Sequence, residues 1–222
     1  MNLREFTKQR RRLQSYTWLG LPLVVIGGWF YPKLGFLLMG CMIGALSIAA
    51  FHGRQWCDWL CPRGSFYDLF LDKISSKRQI PGFFRSTGTR IGMIVFLFTV
   101  LGVQIYFAWP GVDAIGKAFV IVLTVTTSIG IVLGIGIHPR TWCNVCPIGT
   151  IANWMSTGKK PLTIADTCID CTLCAKVCPM QLAPYKDKAI GVMQDNDCIK
   201  CGTCVAACPK KALEFPAKKA SA

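Results

Sequence analysis

The chain is poor in acid and poorer in histidine. Eleven Asp and Glu stand against 25 Lys and Arg in 222 residues, for a formal net charge of +14, and His52 and His138 are the two histidines. Four stretches, 13–31, 34–51, 91–109 and 118–137, hold no charged residue at all. A bilayer span needs about 20 apolar residues, within a range of about 17–25. Four uncharged stretches near that length argue against the core of a soluble protein and for membrane helices. The first is the weakest, since it carries Gln14 and Pro22. No A-x-A-like cleavage site follows it, so Arg10, Arg11 and Arg12 are read as the flank of a span and not of a signal peptide. The interleaved aromatic and basic module of RNA-binding domains is missing, which removes nucleic acid as the reason for the positive charge. No nucleophile, phosphate loop or substrate pocket can be read either.

Cysteine, by contrast, is abundant, with 13 residues. Cys168, Cys171, Cys174 and Cys178 precede Pro179, and Cys198, Cys201, Cys204 and Cys208 precede Pro209. Each run reads C-x2-C-x2-C-x3-C-P, the bacterial ferredoxin spacing for [4Fe–4S] ligation. Three thiolates on one tight loop cap three irons, and the fourth iron takes its thiolate from elsewhere. In two-cluster ferredoxins the fourth cysteine of each run serves the other cluster. The spacing therefore predicts one cluster on Cys168, Cys171, Cys174 and Cys208, and a second on Cys198, Cys201, Cys204 and Cys178. Zinc fits poorly, because its four ligands usually come as two pairs.

Hydrophobic residues make up 52% of the chain, and the mean hydropathy is +0.42. The positive charge lies beside the apolar stretches. Arg4, Lys8 and Arg10–Arg12 precede the first, and seven basic residues from Arg54 to Arg90 separate the second from the third. The opposite loops carry only Lys33 and Lys117. The basic side is the cytoplasmic side, and anionic lipid is its simplest partner. An even number of spans then puts both termini and the cysteine runs in the cytoplasm. Trp18, Trp29, Tyr31, Tyr106 and Trp109 fall near span ends, as an interfacial belt would.

A second cysteine pattern ends the second and fourth stretches. His52, Arg54, Trp56, Cys57, Cys61, Pro62 and Gly64 match His138, Arg140, Trp142, Cys143, Cys146, Pro147 and Gly149 at a constant offset, with one residue lost between the second pair of cysteines. The apolar part is thus a duplicated hairpin. Its copies should relate by an axis along the membrane normal, which would bring both turns to one depth. Three readings of Cys57, Cys61, Cys143 and Cys146 stay open. They could hold a third Fe–S or other metal centre, act as redox dithiols, or be small thiols packed in a turn. Cys41 lies mid-span and reads as a small core residue.

The histidines allow a quinone site, with His52, His138, Arg54, Arg140, Trp56 and Trp142 as its candidate residues. Histidine can take the protons of quinol oxidation, and no Asp or Glu lies in the spans. A bis-histidine haem between the second and fourth spans is a weaker reading, and helix capping by the same residues is the bland one. Residues 65–74 alternate apolar and acidic side chains at helical spacing, which suggests a helix on the membrane surface.

Four spans, two Cys-Pro turns and a tandem [4Fe–4S] tail together resemble the membrane polyferredoxin family. Its members include the quinol dehydrogenase membrane subunit of periplasmic nitrate reductase systems and the membrane half of nitrous-oxide reductase regulators. The resemblance runs from about Tyr16 to Glu214. It departs at Cys143-x2-Cys146, where the family has C-x3-C, and in lacking a flavin-binding or extracytoplasmic domain. It implies electron transfer between the quinone pool and a partner redox protein. The expected architecture is an all-α membrane domain over 1–160 with four transmembrane helices as two duplicated hairpins. A small α+β dicluster ferredoxin-like domain over 161–214 and a flexible tail over 215–222 follow. The expected role is an electron-transfer subunit of a larger complex in the cytoplasmic membrane. The alternatives are a metal-reducing or assembly factor for another redox enzyme, and a wire in a flavin- or ferredoxin-dependent complex.

Overall fold

A computed structural model describes residues 3–215; the remainder of the expected tail, 216–222, lies outside the described residues. The chain is mostly helical. Helix α1 (Leu3–Thr17) is strongly amphipathic and buries Gln14. It ends where Thr17 Oγ1 meets Ser65 Oγ at 2.7 Å.

The first apolar stretch is not one continuous helix. It breaks into α2 (Gly20–Val25) and α3 (Gly27–Phe30). Pro22 lacks an N–H, and Gly20, Gly27 and Gly28 weaken helix propagation. Three helices remain that are long and apolar enough to cross a membrane: Pro32–His52, Thr87–Ala108 and Val112–Gly136. The first of these comprises a short 3-10 turn and α4 (Phe36–His52); the others are α7 (Thr87–Ala108) and α8 (Val112–Gly136). At 22 and 25 residues, α7 and α8 extend about 33 and 38 Å.

Small residues set how these helices meet. Gly35 lies against the carbonyl of Gly116, Gly116 against that of Pro32, and Gly28 against Val120. The α3–α4 corner therefore sits beside the start of α8, far from Thr17. At the other end, Gly130 and Gly134 receive Tyr67 and Leu71. Of the expected aromatic belt, Trp29, Tyr31, Tyr106 and Trp109 are exposed.

The duplication is visible in the backbone. After α4 come α5 (Trp56–Trp59) and α6 (Pro62–Phe70); after α8 come α9 (Thr141–Val145) and α10 (Pro147–Met155). Pro62 and Pro147 occupy the first helical position, where a missing N–H does no harm. The two short helices cross over: α10 packs on α4, and α6 lies against α8. Residues 65–74 are thus not a free surface helix, since Ser65, Tyr67 and Leu71 are buried.

The C-terminal part is built around two short antiparallel strands, β1 (Thr163–Ile164) and β2 (Leu213–Glu214), paired Thr163↔Glu214 and Ile164↔Leu213. Between them lie α11 (Leu173–Lys176), a 3-10 segment over Pro184–Ile190, and α12 (Thr203–Ala207). The two cysteine runs repeat the same turns. Left-handed residues Asp170, Thr172 and Gln181 in the first match Lys200, Gly202 and Lys211 in the second. Leu162, Ile164, Met180, Leu182, Ile199 and Leu213 form the core beneath them.

Candidate functional site

The eight ferredoxin cysteines fall into two groups. One pocket is lined by Cys168, Cys171, Cys174 and Cys208, and another by Cys178, Cys198, Cys201 and Cys204. The fourth cysteine of each run thus stands with the first three of the other. Among the described residues no three His, Cys, Asp or Glu side chains converge on a point where one metal ion would sit. A cubane asks for less convergence, because each of its four irons takes one thiolate. Four thiols spread around a small pocket fit that group better than a single ion. Burial pushes the Cys198 thiol up to about 11 and Cys201 to about 12. Such thiols ionise only when a metal displaces the proton.

The groups differ in setting. Cys171 is exposed, whereas Cys201 and Cys204 are buried. Gly202 of the second run packs against Phe6 of α1, and the Lys200 ammonium donates to the carbonyl of Lys159. The second group therefore faces the helical part, and the first lies away from it.

The duplicated turns come together. Cys57, Cys61, Cys143 and Cys146 all line one cavity of about 310 Å³, and so does Cys41 from the middle of α4. By the same measure each ferredoxin pocket holds about 20 Å³. Cys57 and Cys143 also pack against the core of the C-terminal part. Burial pushes the Cys61 thiol up to about 12, aided by the charge Cys57 would carry, and also raises Cys57 and Cys143 against the pull of Arg54 and Arg140.

Two arginines bind the repeats to each other. Arg54 donates to the Cys143 carbonyl at 2.9 Å, and Arg140 donates to the Cys57 carbonyl at 2.8 Å. Each guanidinium thus holds the turn of the opposite copy. The glycine of each turn makes room. A Cβ on Gly64 would stand 3.0 Å from Arg140 Nη1, and one on Gly149 would stand 3.2 Å from Arg54 Nη2. Both arginines are buried, at 2% and 0% exposure, so each needs a counter-ion. Arg140 donates to Asp68 at 2.8 and 2.5 Å and to Asp58 at 3.1 Å, and Arg10 pairs with both acids. Arg54 pairs with Asp197 at 3.1 Å, and Arg90 joins that acid at 2.6 Å.

The candidate quinone set is not assembled as a unit. Trp56 and Trp142 line the cavity, but Arg54 and Arg140 are committed to the ion pairs above. His52 is exposed, its Nδ1 2.6 Å from Lys160 Nζ. His138 Nδ1 accepts from the backbone N–H of Arg140 at 3.3 Å, and burial followed by the Arg140 charge lowers its pKa. Neither histidine lines the cavity. Three contributors were not read from the sequence. Cys41 lines the cavity. Arg63 is the only charged side chain among the described lining residues, its guanidinium 5.5 Å from the centroid of Trp142. Asp197 directly precedes Cys198, a signal that the sequence did hold.

Two family descriptions match parts of the chain. A family described as "4Fe-4S dicluster domain" matches residues 167–213. A second, "4Fe-4S binding domain", matches twice, at 34–81 and 118–164, once for each repeat. The uncharacterized protein MJ0749 of Methanocaldococcus jannaschii is 26% identical over 144 residues, covering 62% of this chain and 56% of that protein. The uncharacterized protein MJ0750 of the same organism is 26% identical over 160 residues, covering 65% of this chain and 66% of that protein. The chain therefore spans little more than half to two thirds of these curated relatives. No solved structure matches. The 4Fe-4S matches on three stretches mark an iron–sulfur protein, and its three long apolar helices suggest a membrane protein.

Proposed function

We propose that the protein carries electrons between a membrane quinone and a partner redox protein. Two [4Fe–4S] clusters lie on the path, one on Cys168, Cys171, Cys174 and Cys208, the other on Cys198, Cys201, Cys204 and Cys178. A third Fe–S centre is held by Cys57, Cys61, Cys143 and Cys146 where the repeats meet. The broken pair α2–α3 traverses the bilayer with the three long helices, in keeping with Thr17 and the α3–α4 corner lying at opposite ends. Both termini and all clusters lie on the cytoplasmic side, as the basic loops require.

The observation that carries this reading is the single cavity shared by the four turn cysteines. It runs from those cysteines, two of which pack on the core of the ferredoxin part, to an apolar wall of Leu21, Val24, Leu37 and Leu38. Its volume leaves room for an organic ring beside a cluster. Arg63 and the unpaired, buried Trp142 Nε1–H could meet a quinone carbonyl there. An iron–sulfur centre supplies one electron at a time; the residues around the cavity hold the ring, exclude water and fix its distance.

The test is reoxidation of dithionite-reduced protein in liposomes, followed by electron paramagnetic resonance. Added short-chain quinone should reoxidise the clusters, and Arg63→Ala should slow this while both tail clusters stay intact. Reduced clusters that ignore quinone but give electrons to a metal ion would support the metal-reducing alternative and sink the quinone reading.

A further inference from the structure

The two repeats clasp each other in the same way but with different acids. In the first repeat the acids are Asp58 and Asp68. At the alignment that superposes Arg54 on Arg140 and Gly64 on Gly149, those positions become Asn144 and Asn153 in the second. The second repeat therefore has no carboxylate of its own for Arg54. A buried guanidinium without a counter-ion is strongly unfavourable.

The missing carboxylate arrives from elsewhere in the chain. Asp197 is 6% exposed and accepts from Arg54 Nη1 at 3.1 Å, from Arg90 Nη2 at 2.6 Å and from Asn153 Nδ2 at 2.5 Å. Its donor Asn153 is the counterpart of Asp68. Each clasp also has a second arginine from the start of a hairpin, Arg10 in one and Arg90 in the other. Asp197 precedes Cys198, the first cysteine of the second run. The other arm of Arg54 donates to the Cys143 carbonyl. One buried guanidinium thus connects the second cysteine run to the second Cys-Pro turn.

We infer that Asp197 is the carboxylate that the second repeat lacks, supplied by the ferredoxin part of the same chain, and that it is a positioning residue. Through Arg54 it sets the Cys143 turn and seats the Cys198 run against it. The inference rests on the proposed electron path between these two places. It has an electrostatic consequence independent of quinone. Removing the Asp197 charge leaves Arg54 and Arg90 uncompensated next to the Cys198 cluster. Added positive potential favours the reduced, more negative cluster. The midpoint potential of that cluster should rise, and that of the more distant Cys168 cluster should rise less.

The experiment uses full-length Asp197→Asn, Asp197→Glu and the double variant Asp197→Asn with Asn153→Asp. The double variant returns a carboxylate to the place where the first repeat keeps Asp68. Iron content, redox titration by electron paramagnetic resonance and the rate of reoxidation by a short-chain quinone are measured for each. Asp197→Asn should keep the tail iron, raise the Cys198 cluster potential and slow reoxidation by about tenfold. Asp197→Glu and the double variant should restore both values toward the parent. Unchanged potentials in Asp197→Asn would overturn the inference, as would a double variant that is fully loaded with iron yet restores nothing. Should Asp197→Asn fail to assemble, recovery of assembly in the double variant supports the charge replacement and failure there refutes it. If quinone reoxidises none of the proteins, the electron path is wrong, and the potential shift with its reversal still decides the role of Asp197.

Discussion

Replacing Arg140 by Gln measures how strongly the clasp joins the two repeats. Arg140 is 0% exposed and makes three donations to Asp58 and Asp68 and one to the Cys57 carbonyl. Asp58, with no exposed side-chain surface, would be left with Arg10 as its cation. Removing one partner of a buried ion pair costs about 3–5 kcal/mol. Arg10 stays in place, so a loss near the lower end, about 3 kcal/mol, is expected. Denaturant unfolding of the solubilised, iron-loaded protein reads this directly. A double-mutant cycle with Asp68→Asn should give a coupling of about 1–3 kcal/mol. A loss below about 1 kcal/mol, typical of exposed pairs, would refute the clasp. Acid provides a second check. Burial opposes the Asp68 charge, but Arg140 and then Arg10 outweigh it and hold the carboxyl below the usual carboxylate range. The stability this contributes is complete above the unfolded value of about 3.9 and is lost as pH falls through the lower folded value. Arg140→Gln should therefore flatten the acid limb of the stability profile.

Three further outcomes are expected. Cys178→Ala should damage the cluster built on Cys198, Cys201 and Cys204, by iron counting and electron paramagnetic resonance; damage confined to the Cys168 cluster would refute the crossing. A cysteine-free reporter fused after Ala222 should be active as a cytoplasmic reporter, and robust periplasmic phosphatase activity from a fusion at that same position would reverse the topology. Replacing Cys57 and Cys143 together should lower quinone-linked reoxidation and bring iron from about twelve toward about eight per chain, since each cubane holds four. Full iron and full electron transfer in that variant would make the turns purely structural.

The cysteine ladders were legible because ligand spacing is written locally. Three thiols on one loop need only a few residues between them, and the repeated left-handed turns at Asp170 and Lys200 follow from that. The duplicated turns were legible for the same reason, as a matched offset. That the first apolar stretch is broken into α2 and α3 was less legible, because hydropathy measures apolar length and not where Pro22 and the glycines interrupt a helix. The histidines drew a functional reading because a polar residue at a span end stands out in sequence; their contacts, His52 with Lys160 and His138 with local backbone, were not legible there. The arginine clasps could not be read ahead. Their acceptors lie more than 80 residues away, and a carbonyl oxygen leaves no mark in sequence.

The reciprocal hold of Arg54 and Arg140 means that neither hairpin is self-sufficient. Each supplies a grip that closes the other and lacks the one that closes itself. Cut within the basic loop between α6 and α7, the polypeptide would yield two fragments with complementary gaps. Neither could mature separately, but co-produced they should find each other and reconstitute, the ferredoxin part travelling with the second.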